Sequence, residues 1–73
     1  MVCLSDVFAK NLRRTRMEKG MTMAQLAEKA GVAASGVCRW ETGKWSPTLH
    51  SALCLAEALG CTIDDLVRGE DDG

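Results

Sequence analysis

Residues 23–40 read MAQLAEKAGVAASGVCRW. Counting Met23 as the first position, Ala27 falls at five and Gly31 at nine. Apolar residues fall at four (Leu26), eight (Ala30), ten (Val32), fifteen (Val37) and eighteen (Trp40). This spacing predicts a short helix, a glycine turn and a second short helix, with the apolar positions of both facing inward. Two helices that cross closely need a small residue where they touch, and Ala27 supplies it. The turn needs a backbone free to take positive φ, and Gly31 supplies that four residues later. Just upstream, Thr22 is followed three residues on by Gln25, the Thr-x-x-Gln pattern of a capping box.

A tight, glycine-centred turn between two short helices is the helix-turn-helix arrangement. Seven positional requirements met together weigh far more than a lone helix-glycine-helix. Outward from this unit, Gly20, Gly31, Gly43, Gly60 and Gly69 recur at intervals of 9 to 17 residues. Glycine commonly stands just past a helix C-terminus. The segments between them have helical periodicity and few β-branched clusters, so the chain reads as all-α, with five short helices over 5–19, 23–30, 34–42, 48–59 and 63–68. Ser5 or Asp6 is suited to cap the first, and Thr62 the last. Pro47 suits the start of the fourth. In that helix Leu49, Leu53, Ala56 and Leu59 make one stripe, with Leu55 beside it. The expected core is Leu26, Ala27, Val37, Trp40, Leu53, Ala56 and Leu59. Residues 1–69 read as one domain and 70–73, Glu-Asp-Asp-Gly, as an acidic disordered tail.

The chain has 73 residues, 47% of them hydrophobic and 26% charged, with nine basic and ten acidic side chains for a net charge of −1. A chain of this size buries only about 60% of its unfolded surface. That leaves one small core and too little chain to wall off a substrate pocket. With one His, no nucleophile–His arrangement and no phosphate loop, an enzyme is not expected. Nor is a domain for a small-molecule ligand. The start, MVCLSDVFAK, lacks the basic region and apolar run of a secretory signal, and no apolar stretch approaches the roughly 18 residues of a membrane span. A cytoplasmic chain with reduced thiols is expected. Cys3, Cys38, Cys54 and Cys61 are separated by 34, 15 and 6 residues. No zinc pattern has these spacings, so neither metal nor cofactor is expected, and the cysteines read as small core side chains.

The net charge conceals a polarity. Residues 10–44 hold eight basic side chains and three acidic ones, a local +5, while the remainder holds Arg68 against seven acids, −6. Electrostatic attraction to phosphate acts over about 8–10 Å, so the local sign counts for more than the total. The plainer reading of the same charges is a solvated face on the first helix, carrying Lys10, Arg13, Arg14 and Lys19.

These features resemble the phage-repressor and Cro class of helix-turn-helix proteins, the XRE family, over nearly all of Phe8 to Gly69. LRRTRMEKGMT (12–22) resembles the family's first helix and the link to the second. QLAEKAGV (25–32) resembles the second helix and the turn. VCRWETGKWSP (37–47) resembles the end of the recognition helix, and LAEALGCTIDDLVRG (55–69) the closing segment. The resemblance implies a lambda-repressor-like fold of five helices and a transcriptional regulator that binds duplex DNA sequence-specifically. Helix three would lie in the major groove. Because one such module reads only a few base pairs, a homodimer on a two-fold operator is implied. Ala34, Ser35, Cys38 and Arg39 stand where bases are contacted. Arg13, Thr22, Met23, Lys44 and Trp45 stand where the DNA backbone is contacted. Arg16 and Glu41 stand where the family ties helix one to the end of the recognition helix; direct DNA contact by Arg16 is the alternative.

Two departures from the family pattern bear on function. Met23 replaces the usual Gln at the start of helix two, leaving a backbone N–H but no side-chain donor to a phosphate. The first turn of helix three, Ala33-Ala34-Ser35-Gly36, offers a single hydroxyl, so Arg39 is the one long donor suited to guanine O6 and N7. This bare stretch motivates a second hypothesis, a protein-interaction or antitoxin-like module that kept the scaffold and lost base readout. Trp45 has two readings: its indole N–H donating to a phosphate, or its ring packing on helix four or at a dimer contact. Cys38 reads as a passive side chain or a redox switch. Met17, Met21 and Met23 read as core or near-surface filler, and His50 as an exposed residue in the first turn of helix four.

Overall fold

The computed structural model describes residues 4–68, and the expected tail at 70–73 and Cys3 lie outside them. Five helices follow one another: α1 Leu4–Glu18, α2 Met23–Ala30, α3 Ala34–Glu41, α4 Leu49–Leu59 and α5 Ile63–Val67. α2 packs on α3 and α4, α1 on α3 and α5, and α4 on α5. The core gathers Phe8, Leu12, Leu26, Val37, Leu55 and Leu66, each fully buried, with Ala27 and Trp40 among them.

Local chemistry sets most of the boundaries. Thr22 Oγ1 accepts from the Gln25 amide at 3.0 Å, and Gln25 Oε1 accepts from the Thr22 amide at 2.9 Å. The capping box thus satisfies two donors at the start of α2. Thr48 and Thr62 cap α4 and α5 in the same way, Thr62 with Asp65 as its reciprocal partner. α2 ends at Gly31, whose φ of 75° lies in the left-handed region. A side chain there would meet steric resistance from its own backbone, and the Val32 amide closes the turn onto Ala27 O at 2.9 Å. Asp6 stands inside the first turn of α1 rather than at its cap, where a carboxylate opposes the positive end of the helix dipole.

α4 departs from expectation. Its buried residues are Ala52, Leu55, Ala56, Ala58 and Leu59, whereas Leu53 is 45% exposed and Leu49 75% exposed. Two stripes of helical spacing run along this helix. The leucine-rich stripe at 49 and 53 faces outward because the helix turns its alanines inward. Small side chains let helix backbones approach closely, and α2 presents Ala27 to the same core. The cysteines depart as well: Cys38 is exposed, and Cys54 and Cys61 are half-buried free thiols. Of these three, Cys61 packs against the core, and burial pushes its thiol pKa up. Of Met17, Met21 and Met23, the last two pack against the core while Met17 is exposed. Among the described residues no group of three or more His, Cys, Asp or Glu side chains gathers, and no helix is long and apolar enough to cross a membrane.

One contact was not readable from the sequence. Asn11, on α1, is the buried polar residue among those described. Its Nδ2 donates to Leu66 O and to Arg68 O, both at 2.9 Å, and its Oδ1 accepts from Arg14 Nη2 at 3.1 Å. The last carbonyls of a short helix lack partners within it, so Asn11 closes the end of α5 from across the fold.

Candidate nucleic-acid interface

α3 and the loop after it carry most of the residues singled out by sequence. The inner side of α3 is Gly36, Val37 and Trp40, all buried. Ala34, Ser35, Cys38 and Arg39 are exposed on the opposite side. Gly36, read from sequence as one more bare residue beside the base-facing set, therefore lies beneath the helix. An added Cβ there would touch the Trp40 ring at 3.6 Å and come within 4.0 Å of the Trp45 ring. The start of α3 at Ala33 has no side-chain cap. Its end is closed by Thr42, whose hydroxyl donates toward Cys38 O and Arg39 O at 3.0 and 3.2 Å.

The chain then turns sharply at Gly43, φ 76°, where a Cβ would sit 3.0 Å from Asp6 Oδ1. The turn brings the Lys44 and Trp45 amides onto Arg39 O at 3.0 and 3.4 Å. In consequence the Trp45 ring comes back over α3. It meets the Trp40 ring edge-on, with centroids 6.4 Å apart and planes at 67°. The Arg39 guanidinium lies over its face, 4.7 Å from the centroid. Trp45 remains 46% exposed, and Lys44 is exposed.

Arg16 and Glu41 meet. Arg16 Nε donates to Glu41 Oε2 at 2.6 Å and Nη2 to Oε1 at 3.1 Å, while Nη1 donates to Met21 O at 2.7 Å. Only 12% of the Arg16 side chain and 2% of the Glu41 side chain are exposed. The hydrogen bonds to Glu41 hold the guanidinium above its usual pKa against the opposing effect of burial. A planar fork on a carboxylate is the strong form of such a pair. It joins α1, the α1–α2 turn and the end of α3, so it fixes how the α2–α3 unit sits on α1.

The remaining residues are spread around this corner. Arg13 is exposed on α1. Thr22 is occupied as an acceptor in the capping box, which leaves its hydroxyl proton to donate. The Met23 side chain packs toward the core, so only its backbone N–H, at the positive end of α2, faces outward from the helix start. The Arg39–Trp45 stack was missed in the sequence. An Arg six residues before a Trp is not a recognisable pair until a turn at Gly43 reverses the chain.

Residues 12–66 match the family model described as HTH_3, helix-turn-helix. The HTH-type transcriptional activator BcrR of Enterococcus faecalis is 36% identical over 64 residues, which are 88% of this chain but 31% of that protein. An uncharacterized HTH-type transcriptional regulator of Methanothermobacter thermautotrophicus is 38% identical over 63 residues, covering 85% of this chain and 91% of that one. Among solved structures, the restriction-modification controller protein C.AhdI from Aeromonas hydrophila superposes with a TM-score of 0.82 at 32% identity, over 85% of this chain and 94% of that one. The P22 c2 repressor, solved in complex with a synthetic operator, superposes with a TM-score of 0.80 at 27% identity, over 86% and 96%. The glycine turn at Gly31, the α2–α3 packing and the five-helix order agree with these matches: the chain belongs to the HTH_3 family, the repressor-like (XRE) class of helix-turn-helix DNA-binding domains.

Proposed function

We propose that this protein is a transcriptional regulator that binds duplex DNA sequence-specifically, with α3 in the major groove, as a homodimer on a two-fold operator. The observation that carries this reading is the build of α3. One side is locked into the core through Val37 and Trp40, and the other presents Ser35 and Arg39 outward. Arg39 is suited to guanine O6 and N7, Ser35 to either kind of base edge, and Ala34 to a thymine methyl; Cys38 lies alongside. Arg13, the Thr22 hydroxyl, the Met23 amide, Lys44 and the Trp45 indole N–H are the proposed anchors to phosphate. Arg16 is assigned to the fold, since three of its donors go to Glu41 and Met21 and only 12% of its side chain is exposed. The net +5 of residues 10–44 supports the same side as the anionic partner's. The match to a repressor solved on an operator supports the mode of docking.

Selection of bound sequences from a random duplex pool tests this directly. An enriched palindrome, with binding that falls steeply as salt rises, is the expected result. No enriched motif, with binding indifferent to salt, would favour the protein-interaction module instead. The specific feature behind that second reading is the uncapped, nearly featureless first turn of α3.

A further inference from the structure

A guanidinium has two separate means of interaction. Its face stacks on aromatic rings, and its edge carries five N–H donors. Arg39 lies against an aromatic ring, its guanidinium carbon over Trp45 and 4.7 Å from the centroid. Among the described residues no protein acceptor takes its edge. The ring beneath it is itself held. Its backbone amide reaches Arg39 O, its ring meets Trp40 in a T-shaped contact, and Trp40 is a core residue with 7% of its surface exposed. Gly36 lies under both rings, where an added Cβ would be in ordinary van der Waals contact with each. A continuous stack thus runs from the core, through Trp40 and Trp45, to the one long donor on the outer side of α3.

We propose that Trp45 is a positioning residue for base readout: its ring holds the Arg39 guanidinium so that the donor edge is presented to a guanine before DNA arrives. This rests on the DNA-binding reading given above and deepens it. An unsupported arginine must lose its rotamer freedom to make the bidentate bond to the correct guanine. At an incorrect pair, where that bond does not form, the side chain stays free, so the cost falls on the correct site and narrows the preference. A stacked arginine has already lost much of that freedom. Contact with the indole face leaves the edge free for the two bonds to O6 and N7. The role differs from donation by the Trp45 indole N–H to a phosphate, because it requires the ring and not the nitrogen.

The test compares the wild type with Trp45→Phe, Trp45→Ala, Arg39→Ala and the double variant Arg39→Ala/Trp45→Ala. Each is checked for its helical circular dichroism and measured on an enriched duplex and on the same duplex with the read guanine pair exchanged. Trp45→Ala is expected to reduce the preference for guanine by about two- to fivefold, the range of a partly exposed cation–π contact. Trp45→Phe, which keeps a ring and loses the N–H, should retain most of the preference. With Arg39→Ala already present, removing Trp45 should change the preference no further. In the free protein, Trp45→Ala should also increase the mobility of the Arg39 side chain, read from NMR relaxation of its Nε–H.

Three results would overturn the proposal. One is an equal loss of affinity for both duplexes, which would make Trp45 a phosphate anchor or a loop support. Another is Trp45→Phe behaving like Trp45→Ala, and the third is an unchanged Arg39 Nε–H. A wild-type pool without any enriched motif has a different signature: it removes base readout altogether, and the positioning role with it.

Discussion

Arg16 and Arg39 are the same side chain put to opposite uses in two neighbouring regions. At the junction of α1 and α3 the edge of Arg16 is turned into the fold, with two donors on Glu41 and one on Met21 O. At the corner after α3 Arg39 is held over an aromatic ring, and among the described residues no protein acceptor takes its N–H edge. Edge-on contact in a buried site fixes two helices relative to each other and turns the donors away from a ligand. Face-on contact at a half-exposed ring restrains the side chain and keeps its donors. An arginine's contribution to stability or to recognition is therefore set by which of its two surfaces the fold occupies. Asn11 is the uncharged counterpart of Arg16, a buried donor from the same helix that closes α5 instead of α3.

The contrast is sharpest in mutation. Glu41→Ala should destabilise the fold by about 3–5 kcal/mol in denaturant titration, because it leaves the Arg16 charge buried without its partner. Replacing both residues by apolar ones should cost less than either single change, with the Met21 carbonyl the part that stays uncompensated. A double variant as unstable as the sum of the singles would show that the two do not act as a pair. Asn11→Leu should cost about 1–3 kcal/mol, since two carbonyls at the end of α5 lose their donor.

Arg39→Ala should leave the denaturation midpoint nearly unchanged. It should instead cost about 1–3 kcal/mol of affinity for the preferred duplex and relax preference at one base pair per half-site. If that variant unfolds like Glu41→Ala, the distinction between the two arginines fails. Lys44→Ala should weaken binding to all sequences alike and lower the salt slope by about one.

A pH dependence is expected at the start of α5. The Thr62 amide and hydroxyl hold the exposed Asp65 carboxyl below its ordinary pKa. A carboxyl lowered in the folded state stabilises it above the unfolded pKa, and the contribution fades as pH falls through the folded value. A small loss of stability is expected there, and Asp65→Asn should remove most of that pH dependence.

Much of the fold was legible because its signals are local. Capping at Thr22, the glycine turn at Gly31 and the apolar positions of α2 and α3 each depend on residues a few places apart. The phase of α4 was not legible in this way. Two stripes of equal period compete there, and the choice depends on how closely α2 approaches, which lies outside the helix. Asn11 was invisible for the same reason: its acceptors, on Leu66 and Arg68, are 55 and 57 residues away. The candidate interface divides likewise. That Arg39 faces outward follows from the period of α3, while its support by Trp45 depends on a reversal of the chain beyond the helix.

The five helices are not begun alike. α2, α4 and α5 each open on a threonine whose hydroxyl takes a first-turn amide, while α3 opens on Ala33 with no such bond and carries a glycine in its first turn. Glycine and a missing cap both favour the unwound state of a helix end. In deuterated solvent the amides at the start of α3 should exchange sooner than those at the start of α2, although the two helices have the same length and share one core. The end that would meet DNA first is then the part of the unit least committed to its own shape, and a bound duplex should slow that exchange more than any other.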